Sequence, residues 1–576
     1  MMKFYFFLIV TLFFSPNFVA QIQFNEEAIL LGCSDSSYGL GTYGGGISFF
    51  DFDKDGWDDL TVSSETGDPV RFYKNNNGNF SQIALVSFDP LFETKTVQWV
   101  DFDNDDDYDL FVTSYSDSNI LYENVGNMVF EDITISSGLI LNNNFNYGSS
   151  WGDYDKDGFL DVFICSRSDF KEENSQNYLY HNNGNGTFSV VNDLVGIDNN
   201  HHLSFCSSFF DYNNDGWQDL YIANDKIDTQ NLLYKNNGDG TFTEVGEETG
   251  TNISMDGMST TIGDYNDDGW LDIYVTNTIA GNVFLKNNGD GTFTDVASIN
   301  GTLFESAAWG AVFLDAENDT DLDLYVSGEL DGSTSFLPSA FYENNGNGIY
   351  SIPMSAGFEN DTARSFSNAI GDINNDGYPD ITVLNYEPDD IFLWNNVSDQ
   401  NNNWLKVKLE GVTSNRQGIG SWIEISLAGN KQYRYTLCGE GFLGQNSAYE
   451  FFGLGSASTI DYIKVTWLSG QVDIINNPTI NSHITIIEGG TLNVNEKNDI
   501  EVLVYPNPGK KFNIKMNDHK DIMTLTITDM SGKVFVKRTQ DLYEFTIDLS
   551  GYDSGVYFLN IFNQTQKITK KLIINE

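Results

Sequence analysis

A nine-residue acidic string recurs seven times in this chain. Its form is D-x-[DN]-x-D-G-x-x-D, and five copies are complete: DFDKDGWDD from Asp51, DYDKDGFLD from Asp153, DYNNDGWQD from Asp211, DYNDDGWLD from Asp264 and DINNDGYPD from Asp372. Two relaxed copies, DFDNDDDYD from Asp101 and DAENDTDLD from Asp315, fill the gaps. Successive copies start 50, 52, 58, 53, 51 and 57 residues apart. A repeat of that length is one supersecondary unit, which must stack on its neighbours to bury its apolar face.

Each string lies between two strand-like runs, such as TVQWVDF and DLFVTSY. A third run follows (RFYKNN, ILYEN, YLYHNN, LLYKNN, VFLKNN, AFYENN, IFLWNN), then an Asn-Gly-rich turn. A fourth run opens on Phe80, Phe130, Phe188, Phe242, Phe293 or Tyr350. Four strands per repeat fit one propeller blade. The seventh repeat lacks its fourth strand, yet IQFNEEAILLG stands before the first loop with Phe24 in the aromatic place. That offset suits a ring whose N-terminal strand completes the last blade and removes the open sheet edges. The fold class expected is all-β: a seven-bladed β-propeller over residues 21–397, followed by two small β-sandwich-like domains.

Positions 1, 3, 5 and 9 of each string present side-chain oxygens, and position 7 can offer a carbonyl. Hard oxygen donors at alternate positions suit Ca²⁺. The candidate ligands are Asp51, Asp53, Asp55 and Asp59; Asp101, Asp103, Asp105 and Asp109; Asp153, Asp155, Asp157 and Asp161; and Asp211, Asn213, Asp215 and Asp219. The last three loops give Asp264, Asn266, Asp268 and Asp272; Asp315, Glu317, Asp319 and Asp323; and Asp372, Asn374, Asp376 and Asp380. Up to seven Ca²⁺ ions are expected, in a structural role. Gly at position 6 permits a turn with positive φ. Asp106 replaces it tolerably and β-branched Thr320 poorly, which ranks the sixth loop weakest.

The repeats resemble the FG-GAP and VCBS families, whose calcium loops also occur in integrin α-subunit propellers. The resemblance implies ligand binding on one propeller face. Residues 398–490 carry alternating apolar residues such as Leu405, Val407 and Leu409. They resemble the ASPIC and UnbV domain at Asn415, Arg416, Gly418, Gly420, Gly441, Gln445, Asn446, Gly453, Gly455, Trp467 and Gly470. Arg416 and Glu440 are candidates for a site there, against a structural ion pair or a solvated face. After a linker at 491–500, residues 501–576 resemble the C-terminal sorting domain of the type IX secretion system. The matching residues are Tyr505-Pro506-Asn507-Pro508, Asp529, Gly532, Leu549, Gly555-Val556-Tyr557 and Lys571. That resemblance implies export through the type IX machinery to the outer-membrane surface or the medium.

Residues 1–20 read as a signal peptide, with Lys3, the apolar run Phe4–Phe14 and Ala20 before the cut. No later stretch is apolar enough to span a bilayer. A net charge of −54 leaves no basic patch for nucleic acid. Cys33, Cys165, Cys206 and Cys438 fit no metal or redox spacing and are expected as buried thiols. Trp57, Trp217 and Trp270 at position 7 read as packing residues before carbohydrate platforms. His201-His202 is not expected to share a metal, since neighbours on a strand face opposite ways. H-E-x-x-H is absent, and GLGTYG (Gly39 to Gly44) leads into a strand rather than a helix. The function expected is therefore binding of an extracellular glycan or protein, adhesion or recognition rather than catalysis. A polysaccharide-active lyase or hydrolase on a propeller scaffold is the alternative.

Overall fold

The structure is a computed structural model. It describes residues 22–490 and 502–574, apart from 35, 87–91, 140–144, 169–175, 331–335, 360, 400, 517–522, 530–532, 541–543 and 563–566. The expected signal peptide and the linker at 491–500 lie outside the described residues. Two compact units are separated at residues 491 and 492.

Seven four-stranded antiparallel sheets occupy the first part of the first unit. The sheet of the first repeat runs Ile47–Phe50, Asp59–Val62, Arg71–Asn75 and Phe80–Ile83. The sheet of the last repeat runs Ser365–Gly371, Asp380–Asn385 and Phe392–Asn396, and takes its fourth strand from Phe24–Glu26. Phe24 pairs with Asn396 and Glu26 with Trp394. First strands of successive sheets lie side by side, and Ile47–Phe50 also touches Ser365–Gly371. The N-terminal strand thereby completes the last sheet, and the first and last sheets come into contact. The innermost strands are buried along nearly their whole length, as fits strands covered on both faces.

Asparagines on the third strands tie neighbouring sheets together. Asn182, Asn236, Asn287 and Asn396 each donate from Nδ2 to a carbonyl one sheet back, at Phe102, Tyr154, Tyr212 and Ala316 (2.8 Å each). Asn75 of the first sheet reaches Ile373 of the last at 2.9 Å.

Residues 403–487 form two further sheets. Asn403–Glu410 lies between Glu450–Gly455 and Ser482–Ile487. The second sheet is ordered Asn430–Tyr435, Trp422–Leu427, Tyr462–Thr466 and Val472–Asn476. Leu405, Val407 and Leu409 point into the core between them, with Ile423, Phe452 and Trp467. This module belongs to the same compact unit as the seven sheets.

Its segment 438–447 runs down the axis on which the seven first strands converge. Gln445 pairs with Ile47 and Phe49 through its backbone and with both backbone groups of Trp99 through its side chain. The carbonyls of Cys438 and Gly441 accept from Trp151 and Thr260, and Asn446 and Ser447 clasp Ile370. Phe442 packs on Phe205 and Trp309, 5.7 and 4.9 Å between centroids. All seven sheets are touched. These contacts satisfy backbone groups that would otherwise be buried without partners. From the other end, Tyr43 of the Gly39–Gly44 segment packs against Tyr147, Phe205 and Trp309. As expected, that segment enters a strand and not a helix.

The second unit is also all-β. Val502–Tyr505, Lys511–Met516 and Glu544–Asp548 form one sheet. Val534–Gln540, Met523–Asp529, Gly555–Phe562 and Lys567–Ile574 form the other, over a core that includes Phe512, Ile527 and Leu559. All four cysteines are buried free thiols.

Two outcomes follow from this packing. Deleting residues 21–31 removes the strand that completes the last sheet. It should lower the melting temperature by at least about 5 °C, more than deleting 501–576 does; equal melting would show that this strand closes nothing. Burial pushes the carboxyls of Glu440 and Glu450, on or beside the axial segment, up to about 7 and about 8. In the unfolded chain both lose their protons near the ordinary carboxylate value. Stability should therefore fall as pH rises from there to about 8. Glu440→Gln should flatten that decline in melting scans between pH 5 and 9, and an unchanged slope would refute the assignment.

Candidate metal centres

Each acidic string joins the first strand of its sheet to the second, so all seven sit at one end of the ring. A shared hydrogen-bond scheme builds them. The position-1 carboxylate accepts from the backbone N–H groups of positions 5 and 6: Asp51 from Asp55 and Gly56 at 3.0 and 2.9 Å, Asp315 from Asp319 and Thr320 at 2.8 and 2.9 Å. The position-5 carboxylate accepts from position 7, as Asp215 does from Trp217 at 3.0 Å. The position-9 carboxylate accepts from position 2 and from the third-strand asparagine; Asp59 bonds Phe52 at 3.2 Å and Asn75 at 2.7 Å. Positions 1, 5 and 9 are thus aimed inward by the turn itself.

The turn needs two residues with positive φ. Position 6 is one, from Asp106 at 76° to Thr320 at 99°. Position 4 is the other, at Lys54, Asn104, Lys156, Asn214, Asp267, Asn318 and Asn375, all between 55° and 63°. Position 4 went unnoticed in the sequence, although four asparagines there are a usable signal for left-handed backbone. Those side chains also link loops: Asn104, Asn214, Asn318 and Asn375 donate to Gly158, Gly269, Gly377 and Gly56 of the next loop.

Position 3 separates the loops. Asp53 Oδ1, Asp155 Oδ1 and Glu317 Oε2 are buried oxygens without a hydrogen-bond partner. Glu317 is only 2% exposed. Acceptor-only oxygens left bare inside a ring of carboxylates are costly unless a cation meets them. The residues fit a divalent ion: ligand atoms of Asp51, Asp53 and Asp59, of Asp101, Asp103 and Asp109, of Asp153, Asp155 and Asp157, and of Asp315, Glu317 and Asp319 lie within 4.8 Å of one another. In the other three loops Asn213, Asn266 and Asn374 hold position 3 and accept from Asp215, Asp268 and Asp376.

Burial dominates the electrostatics. It raises the carboxyls of Asp101 and Asp264 to about 7, Asp153 and Asp315 to about 8, and Asp59 and Asp109 to about 9. Asp219, Asp272, Asp323 and Asp380 are pushed well above the ordinary range for the same reason. A bare loop thus holds its negative charge poorly, and a cation restores it.

The third strand adds a residue that the repeat pattern hides. In the first, fourth and fifth loops it is a lysine. Lys74 bridges Asp53 and Asp55, while Lys235 and Lys286 stand 3.9 and 3.7 Å from Asp215 and Asp268. In the third it is His181, 3.1 Å from Asp161 and 3.5 Å from Asp155. In the second and sixth it is Glu123 or Glu343, which adds negative charge beside Asp103 or Asp319. The two loops that lack Gly at position 6 are those whose third strand adds a carboxylate.

Other candidates settle differently. Arg416 pairs with Asp106 at 3.3 Å, whereas Glu440 accepts from the Asn446 N–H at 3.0 Å in the axial segment, so the two do not form one site. Lys156 sits 4.1 Å over the Trp217 ring, a packing contact between sheets. His202 pairs with Asp198 at 2.7 Å.

Comparison with known proteins agrees with this layout. The FG-GAP-like repeat model matches residues 51–112, 101–164, 211–275 and 264–326. The ASPIC and UnbV model matches 411–493, and the secretion system C-terminal sorting domain model matches 503–575. Cartilage acidic protein 1 of Xenopus tropicalis is 23% identical over 276 residues, 45% of this chain and 41% of that protein. The Mus musculus protein of that name is 23% identical over 209 residues, 31% of this chain and 30% of that protein. The chain thus matches well under half the length of either relative. Among solved structures, the extracellular domain of a putative hybrid two-component system from B. thetaiotaomicron aligns with a TM-score of 0.35 and 9% identity, over 96% of this chain and 59% of that one. PorZ, a surface component of the type IX secretion system of Porphyromonas gingivalis, aligns with a TM-score of 0.23 and 11% identity, over 92% and 81%. Among the described residues no helix is long and apolar enough to cross a membrane.

Glu317→Gln should weaken divalent-cation binding by about tenfold or more at the sixth loop, because it removes one of the charged oxygens that face the ion. Asn213→Ala should cost less. Calorimetric titration of chelator-stripped protein reads both, and equal losses would refute the distinction. In order along the chain stand FG-GAP-like repeats, an ASPIC and UnbV domain and a C-terminal sorting domain that directs export to the cell surface or the medium.

Proposed function

We propose that the exported chain is a calcium-stabilised binding protein that holds an extracellular glycan or protein on the face opposite the acidic loops, and is not an enzyme. One observation carries this reading: residues 403–487 pack over the loop end of every sheet. Ser447 bonds Asp58 at 2.9 Å, Arg416 bonds Asn104 at 2.7 Å, and Gly455 bonds Asn318 at 2.8 Å. Lys406 reaches Asp372 at 3.0 Å, the Thr413 carbonyl faces Gly158, Gly420 lies against Gln218, and Tyr433 borders Gly269. The module thereby occupies the loop end that a macromolecular partner would otherwise approach, while position-5 carboxylates such as Asp55 and Asp215 stay exposed to solvent. The oxygen-only donor sets of the loops suit Ca²⁺, and its role on this reading is to hold the turns together.

The opposite face is built by the loops after the second and fourth strands. There Leu40, Ile227 and Ile279 are 63%, 72% and 64% exposed, which fits a contact surface. The axis is filled from both ends, by residues 438–447 and by Tyr43, which speaks against a deep catalytic cleft at the centre.

The test is retention of full-length protein on glycan and protein arrays with Ca²⁺, with Mg²⁺ and with chelator. Retention should need Ca²⁺, and Mg²⁺ should substitute poorly because it demands tighter octahedral geometry. The double variant Ile227→Asp, Ile279→Asp should lose about tenfold or more in affinity at an unchanged melting temperature. Release of shortened or unsaturated oligosaccharides would establish the enzyme instead.

A further inference from the structure

A cavity of about 270 Å³ lies between the first two acidic loops and the module at 403–487. Its wall is charged in both senses: Lys54, Lys408 and Arg416 stand among Asp51, Asp101, Asp106, Glu410 and Glu450. Lys54 and Arg416 both engage Asp106, at 2.7 and 3.3 Å. Lys408 makes no hydrogen bond or ion pair with any described residue. Its ammonium stands 5.6 Å from the Tyr108 ring centroid and 5.9 Å from that of Tyr449. Two aromatic faces thus hold a half-buried cation at the cavity edge. Asp51 acts on this ammonium only at a distance, and an ammonium taken partly out of water without a direct ion pair is a cost that a ligand can repay.

The remaining wall narrows the ligand. Glu410 and Asp51 line the same space and accept hydrogen bonds. They oppose a dianion such as phosphate but suit hydroxyl donors. Tyr108 is only 4% exposed and carries Lys54 over its ring at 4.5 Å, so the half-buried Tyr449 is the ring that can meet the C–H face of a sugar. The volume is at the small end for ligand pockets, so it admits one ring rather than a chain. A neutral sugar would leave Lys408 unpaired, and a bare inorganic anion would leave the acceptors and ring unused.

We propose that this cavity binds a uronic acid, its carboxylate on Lys408 and Arg416 and its hydroxyls on Glu410 and Asp51. The site lies on the covered face and is independent of the partner surface proposed above, so either can fail without the other.

The probes are sodium glucuronate, glucose and inorganic phosphate, titrated calorimetrically into the full-length protein in calcium-containing buffer. Glucuronate should bind at least about tenfold tighter than glucose, as expected for one charge-assisted contact, and tighter than phosphate. Lys408→Gln should lose about tenfold or more in glucuronate affinity while its ligand-free melting temperature stays at the wild-type value. Lys408→Arg, which keeps the charge, should retain binding. Equal affinity for glucose, tighter binding of phosphate, no binding of any probe, or wild-type affinity in Lys408→Gln would each overturn the proposal.

Discussion

The burial of carboxylates at seven equivalent turns is the constraint on which this structure depends. A position-9 aspartate is wholly enclosed in every loop, yet it fixes the start of the second strand and the end of the third through two backbone hydrogen bonds. It cannot be replaced by an apolar residue without orphaning those N–H groups, and it cannot be ionised at little cost where it lies. The same side chain therefore builds the blade and creates the electrostatic problem. Three solutions coexist. A lysine or histidine from the third strand leans in at the first, third, fourth and fifth loops, side chains from elsewhere reach the second (Lys54 and Arg416 to Asp106) and the seventh (Lys406 to Asp372), and an external cation is the remaining way to neutralise the sixth.

That division bears on how the repeat diverges. The second and sixth loops look degenerate because Asp106 and Thr320 replace glycine. Thr320 does adopt the disfavoured backbone, at φ 99°. Yet Glu317 is the one position-3 ligand that is fully enclosed, and Glu343 adds to the charge around it. The conformational penalty at position 6 and the ligand strength of the loop are separate quantities, and ranking by the glycine alone conflates them.

Period, strand count and the stray strand around Phe24 were legible because they are local or periodic. The β-module core was legible for the same reason, since Leu405, Val407 and Leu409 alternate. The axial segment was not. Its partners are backbone groups of strands 70 to 400 residues earlier, and backbone groups leave no mark on composition. Gly441 and Gln445 stand out only as positions of the ASPIC and UnbV resemblance, and nothing local places them on the axis. The third-strand residues Lys74, Glu123, His181 and Glu343 were hidden differently: they occupy a variable place in an otherwise regular run. Their variation is the signal, because each faces a charge.

The axial segment also explains why the ASPIC and UnbV module and the repeats make one compact unit. First strands meeting on an axis leave inward-facing backbone groups that water would have to satisfy in a narrow channel. Gln445 answers this with its backbone against Ile47 and Phe49 and its amide against Trp99, spanning two sheets with one residue. Phe442 fills the apolar space between Phe205 and Trp309 that no repeat supplies. Such contacts reward only the assembled ring, so the module acts as a gauge of closure: a ring with one sheet displaced would break its contact with at least one of Ile47, Trp99, Trp151, Phe205, Thr260, Trp309 or Ile370. Seating the module on the acidic loops then couples the two needs of the fold, since the same element that fills the axis brings Lys406, Lys408 and Arg416 over the most negative end of the molecule.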